Sequence, residues 1–273
     1  MRSALSKSTI YILLAIGAVF MLLPFVWMLS TSLKAPNEVM AMPPVWIPSE
    51  LNWDNFTEAL AVAPFDRYFV NSLIVTVIST IGELVTTILA AYAFSRINFL
   101  GKNIIFAVLL GTMMVPGEVL LIPNFVTLSN LGWIDTYQAL IVPWTASVFA
   151  IFLLRQFFLG VPKELSFAAK VDGCSEFRFL WYVMVPLVKP ALITVALLKI
   201  INSWNAFLWP LIVTNSQELR TLPVGLSAFT TEAGIKYELL MAASTMVVVP
   251  MLILFFIMQK YIIAGVARSG LKG

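Results

Sequence analysis

Residues 162–190 read PKELSFAAKVDGCSEFRFLWYVMVPLVKP. This is the most polar run in the second half of a very apolar chain. Lys163, Glu164, Lys170, Asp172, Glu176, Arg178 and Lys189 stand here between two long hydrophobic segments. Residues 163–171 suit a short helix. Asp172-Gly173 then breaks it, because glycine accepts the backbone angles of a sharp turn. Residues 175–183 start a second helix, with Ser175 as candidate N-cap. Pro186 and Pro190 bracket the start of the next apolar run. The pattern is helix, glycine turn, helix, lying on a membrane surface. Polarity alone fits a docking knob for a soluble partner and an ordinary solvated connector equally well.

The rest of the chain decides that a membrane is involved. Of 273 residues, 60% are apolar and 11% charged, and the mean hydropathy is +0.93. Soluble domains carry about 25% charged residues, so a chain this apolar has no surface fit for water. A single cysteine, Cys174, rules out an intrachain disulfide; beside the turn it suits a structural role. With no histidine, a zinc site of nitrogen and sulfur ligands cannot be built. The net charge of +3 is too small to point to nucleic acid. No G-x-x-x-x-G-K-[ST] loop is present. If ATP drives this protein, another chain hydrolyses it, and no catalytic residue is assigned here.

Six segments are long and apolar enough to span a bilayer: 10–33, 68–94, 104–122, 137–158, 191–213 and 239–263. The first far exceeds a signal-peptide core of about 7–15 residues, so a retained helix is expected. Pro24, Pro116, Pro143 and Pro250 fall in or near these spans as candidate kinks. Most lysines and arginines lie at the termini, near 96–102 and in 155–189. The opposite loops hold only Lys34, Arg67, Arg220 and Lys236. This asymmetry places both termini and the 159–190 loop in the cytoplasm. On the outer side, residues 52–58 suit a short surface helix presenting Trp53 and Phe56. Asp135, Glu218, Glu232 and Glu238 make that side acidic. Such a surface can receive a soluble delivery protein, and it is also what a plain solvated face looks like.

Two spans carry polar stripes. Ser72, Thr76, Ser79, Glu83 and Thr87 recur at steps of three or four on one helix face. Glu83 is the acidic residue nearest the middle of a span. A lone carboxylate is no proton relay, so a structural or path-lining role is expected of it. In the fifth span Asn202, Asn205 and Trp209 are spaced to share a face. Amides can grip sugar hydroxyls and an indole can stack on a sugar ring. Interhelical hydrogen bonds plus an interfacial tryptophan explain the same spacing. Lys199, in the same span, can snorkel, sit in a wet cavity or pair with Glu83.

Ala168-Ala169-Lys170-Val171-Asp172-Gly173, with Pro186 and Pro190 downstream, resembles the Glu-Ala-Ala loop of ABC-importer permeases. The family's glutamate falls on Phe167 here. Ser203-Trp204-Asn205-Ala206-Phe207-Leu208-Trp209-Pro210-Leu211 is similar to the WN-x-F-x-x-P-L segment of sugar-importer permeases. Asn71-Ser72, Ala91-Tyr92-Ala93-Phe94-Ser95-Arg96, Pro116-Gly117, Leu131-Gly132, Thr221-Leu222-Pro223 and the 265–273 tail follow in family order. The chain thus resembles the smaller, maltose-type permease subunit of carbohydrate importers.

The resemblance implies an all-α membrane protein of six transmembrane helices, one permease domain over 1–273, with a cytoplasmic coupling helix in 159–190. It implies ATPase contacts at Glu164, Phe167, Ala168, Ala169, Asp172 and Gly173. For the substrate path, Glu83, Ser79, Asn202, Asn205 and Trp209 are the candidates. The implied partners are a second permease, two cytoplasmic ATPase subunits and an extracytoplasmic solute-binding protein, in a bacterial or archaeal cytoplasmic membrane. ATP and Mg belong to the ATPases, and this chain binds no cofactor. ATPase closure would swing the coupling helices and turn the permease pair from inward- to outward-facing, with the C-terminal tail reaching the same interface. The expected cargo is a di- or oligosaccharide. Glycerol 3-phosphate or a related polyol phosphate is the alternative, and would want Lys199 as its cation. An ion-coupled secondary transporter using Glu83, or a non-transporting scaffold, are the other classes; the inverted repeats of the former are not visible.

Overall fold

The computed structural model describes residues 2–231 and 234–269. The described backbone is mostly helical. One two-residue antiparallel ladder pairs Thr230 with Ile235 and Thr231 with Gly234. Four stretches are long and apolar enough to cross a membrane: Lys7–Ser32, Phe65–Arg96, Tyr137–Leu159 and Tyr237–Ile257. The number is six when two bent helix pairs each count as one span. By contact the chain divides into two compact units, Met1–Asp66 with Gly225–Leu252 and Arg67–Val224 with Ile253–Gly273.

In the first unit, α1 (Arg2–Ser32) runs through Pro24 without ending there. The chain buries none of its most apolar stretch, so that surface is left for lipid or a partner. Helix α2 (Asp54–Val62) starts two residues later than expected and runs further. Its Asn55 donates to the carbonyls of Ser32 (3.0 Å) and Lys34 (2.8 Å). These are groups a helix C-terminus leaves without an intrahelical partner. The Lys34 ammonium lies 3.8 Å from the Trp27 ring centre, a cation–π contact. Trp53 is exposed as expected and stacks on Phe56.

The second unit contains nearly all of α3 (Phe65–Arg96), then α4 (Lys102–Thr112), α5 (Leu121–Asn130), α6 (Tyr137–Ile141), α7 (Val148–Leu159), α8 (Lys163–Val171), α9 (Glu176–Phe179), α10 (Lys189–Trp204) and α11 (Leu208–Val213). Helix α12 (Tyr237–Ser269) carries Pro250 inside it. Three expected spans are interrupted. The 104–122 span stops at Thr112 and resumes beyond Pro116, bent by 93°. Proline lacks the N–H and biases the residue before it away from helix. The 137–158 span is broken at the 3-10 turn Val142–Trp144, which holds Pro143. The 191–213 span ends at Trp204 and restarts at Leu208. In an unbroken helix the Pro210 ring would meet the Ala206 carbonyl, four residues back.

The polar 159–190 loop is also less loop-like than its composition suggests. After α9 the chain makes a π turn, Leu180–Met184, and a last helical turn, Val185–Leu187. Phe179, Leu180, Met184 and Val188 join Tyr92 of α3 and Phe158 of α7 in one buried cluster. The loop's second half thus sends these four side chains into the core, while Phe177, Tyr182 and Leu187 around them stay exposed.

Candidate functional site

Helix α8 covers Lys163–Val171, as the sequence predicts, and Gly173 takes φ +71°. The Cys174 N–H bonds the Ala169 carbonyl (2.8 Å) and the Gly173 N–H that of Lys170 (3.1 Å). That pair of bonds is a Schellman cap, which needs a left-handed residue at Gly173. Ser175 caps the next helix by accepting the Arg178 N–H at 3.3 Å. Across the turn the Lys170 ammonium pairs with Glu176 at 3.2 Å. The Tyr92 hydroxyl donates to the other Glu176 oxygen, so the turn is tied to α3. Arg96 donates to the carbonyls of Phe158 (2.7 Å) and Val161, just before α8 begins. Arg155 returns a bond to Phe94 (3.0 Å).

Helix α8 itself has no buried residue. Ala169 and Cys174 rest on the cluster beneath. Glu164, Ala168 and Asp172 are exposed, as are Phe167 (64%) and Val171 (88%). An isolated nine-residue helix is marginal in water. This one is fixed at both ends and holds apolar side chains outward.

The polar stripe of α3 is buried: Ser72, Thr76, Ser79, Glu83 and Thr87 all lie inside the chain. Ser79 and Ser203 hydroxyls sit 3.4 Å apart. Glu83 meets Lys199 of α10 at 3.3 Å, each side chain 9% exposed. Lys199 also donates to the Trp144 carbonyl at 2.7 Å, a group freed by the break after Val142. The pairing left open by the sequence is therefore made. Two cavities meet at Trp144, Lys199 and Asn202, of about 580 Å3 and 340 Å3. Both are in the size range of small-molecule sites. Glu83 lines the first. Ser203, Glu118, Phe207 and Trp209 help line the second, and the two chain breaks at Gly117 and Ala206 reach its wall. Irregular backbone at membrane depth is tolerated where it lines a cavity.

The shared face expected of Asn202, Asn205 and Trp209 does not exist, because the helix ends between them. Asn202 points to both cavities. Asn205 turns back to donate to the Ile201 carbonyl (3.0 Å). Trp209 is 5% exposed, gives its indole N–H to Ala139 (3.0 Å) and meets Trp144 edge-on. Its polar handle is therefore spent within the chain.

Near the start of α3, buried Asn71 donates to the carbonyls of Glu218 (2.7 Å) and Arg220 (2.9 Å) and accepts from Tyr137 (2.6 Å). Ser72 accepts the Leu222 N–H at 2.8 Å. Asp135 takes the N–H groups of Asn215 and Ser216 and the Ser216 hydroxyl. Those bonds, the Ser216 N–H foremost, hold its carboxyl below the usual range. Glu232 lies outside the described residues, as does the expected tail from 270 onward. Residue types alone gave no signal for Trp144 or for the Tyr92–Glu176 bond; Pro143 beside Trp144 was the available hint.

A family model described as "Binding-protein-dependent transport system inner membrane component" matches residues 83–268. The chain belongs to this family. It is thus a membrane permease component of an ABC-type transport system, with the fold its motifs imply. It is 37% identical, over 96% of each chain, to the arabinooligosaccharides transport system permease protein AraQ of Halalkalibacterium halodurans. It is 31% identical, over 95% of each chain, to the sn-glycerol-3-phosphate transport system permease protein UgpE of Yersinia pestis. Its fold matches a chain of the crystal structure of a bacterial ABC transporter involved in import of the acidic polysaccharide alginate, with TM-score 0.86, 25% identity, and 96% of this chain and 98% of that one covered. The family match takes in both the α8 turn and the Glu83–Lys199 pair.

Proposed function

We propose that this chain is one permease subunit of an ATP-driven carbohydrate importer, moving a di- or oligosaccharide and performing no chemistry itself. It sits in a bacterial or archaeal cytoplasmic membrane with both termini and α8 on the cytoplasmic side. A second permease completes the path. Two ATPase subunits hold ATP and Mg and receive α8, with Glu164, Phe167, Ala168, Ala169, Asp172 and Gly173 as the coupling face. An extracytoplasmic solute-binding protein delivers the cargo to the outer segments. The observation that carries this reading is α8: a helix with no buried residue, apolar side chains outward, yet rigidly capped and tied through Tyr92 to the helix bearing Glu83. A partner's closure can move such an element and, through α3, the cavity wall. Of the path candidates, Glu83 and Asn202 line the first cavity and Asn202 and Trp209 the second, whereas Ser79 is wholly buried and Asn205 lines neither. The polyol-phosphate alternative loses its cation, since Lys199 is already paired.

The test is at Gly173. A Cβ there meets nothing within 4 Å, so the cost of substitution is backbone strain alone, about 1–2 kcal/mol. Gly173→Val in the assembled importer should insert normally and lose solute-stimulated ATP hydrolysis. Gly173→Asn, which tolerates positive φ, should keep it. Full coupling in the valine variant would refute the lever.

A further inference from the structure

The wall shared by both cavities carries one cation, and the chain neutralises it. Lys199 is held by Glu83 at 3.3 Å and by the Trp144 carbonyl at 2.7 Å, inside a wall that leaves each member of the pair 9% exposed. The other charged group on either wall is the exposed Glu118 carboxylate. Counted together, and among the described residues, the two cavities offer an incoming solute no free positive charge.

We propose that Glu83 is a specificity-determining residue: by occupying Lys199 it restricts the path to uncharged sugars and turns away phosphorylated and uronic-acid ones. The inference rests on the carbohydrate reading above and narrows its substrate class. The physical reason is asymmetric. An anionic solute at the third Lys199 N–H would meet the Glu83 carboxylate beside it, and one that took Lys199 as its own counter-ion would leave that carboxylate buried without its partner, the costly half of a broken pair. Glu118 would add repulsion of its own. A neutral sugar asks for nothing of the kind: Asn202, Ser203 and Ser147 offer hydrogen bonds and Trp144 an apolar face. Exclusion of this sort is discrimination by penalty rather than by added attraction. It also distinguishes among solutes handled by similar proteins, since the relatives named above include transporters of an oligosaccharide and of a phosphate ester.

The test uses the complete importer in detergent without its solute-binding protein, so that this path and not the delivery protein does the selecting. Its unfolding midpoint is measured with D-glucose or D-glucuronate at equal ionic strength, because a ligand that binds only the folded state raises the midpoint. Wild type should be stabilised by glucose and not by glucuronate. Glu83→Gln should gain a stabilisation by glucuronate that wild type lacks, since Lys199 is then without its carboxylate. Adding Lys199→Gln should abolish that gain. An assembled Glu83→Gln complex that answers both sugars as wild type does overturns the inference and leaves the carbohydrate reading standing. Wild type stabilised by glucuronate as strongly as by glucose also overturns it, and needs no variant to assemble. Wild type stabilised by neither sugar overturns the inference as stated and leaves standing the longer saccharides of the carbohydrate reading.

Discussion

Asp135 shows how much one side chain can hold where α5 gives way to α6. Its backbone sits at φ +61°, a conformation that aspartate and asparagine tolerate better than most residues. Its carboxylate gathers three donors from Asn215 and Ser216, eighty residues further on. Because those donors favour the charged form, the folded carboxyl titrates below its unfolded value of about 3.9. The stabilisation is therefore fully present above that value and fades as pH falls through the folded one. Asp135→Asn, which tolerates the positive φ but removes the charge, should cost about 1 kcal/mol near neutral pH, the site being only half buried. Thermal unfolding of both proteins from pH 7 down to 3 should show the gap closing as the medium turns acid. A gap that widens on acidification would refute this account. Composition marked Asp135 as one more outer acid; its long-range partners have no local signal and had to come from the fold.

At the level of elements, α3 comes very close to the break before α7. Gly82 lies where an added Cβ would stand 2.7 Å from the Thr145 methyl and 3.1 Å from its Cβ. One turn on, Thr86 donates to the Thr145 carbonyl at 2.6 Å. Small residues let helices meet this closely. The contact fixes the wall that carries Glu83 and Trp144. Gly82→Ala should destabilise the assembled complex by about 1–3 kcal/mol through overpacking. Thr145→Ser removes the offending methyl and keeps the hydroxyl, so the double variant should recover most of the loss. Unfolding midpoints of the two single variants and the double decide it; additive losses would mean the contact is not the cause. The small and hydroxyl residues of α3 were readable as a stripe because helix periodicity is local. The breaks were only half readable. Pro116 and Pro143 marked two of them, but the third falls between Trp204 and Leu208, where Pro210 acts on Ala206 four residues back, inside a run that otherwise reads as one span.

For the whole assembly, the informative residue is Phe167. The family pattern has a glutamate there, and the structure leaves the phenylalanine 64% exposed on a helix that buries nothing within its own chain. With Val171 it forms an apolar surface set among Glu164, Lys163 and Lys170. Exposed apolar surface of this kind gains free energy when a partner covers it, at about 25 cal/mol per Å2. If the ATPase subunit meets Phe167 with an apolar wall, Phe167→Glu strands a charge in that wall and loosens the complex. If the partner keeps a basic residue at that point, the same change supplies its missing counter-charge and tightens it. The apolar partner is the outcome expected here, since a solvent-facing phenylalanine gives a basic residue no anion to pair with. ATPase subunits should therefore dissociate from the Phe167→Glu permease at least tenfold more readily, and added salt should make little difference. Dissociation measured on the immobilised complex at low and high salt separates the cases. Tighter, salt-sensitive retention would show that the partner carries a basic residue at this point and that this chain docks without using it.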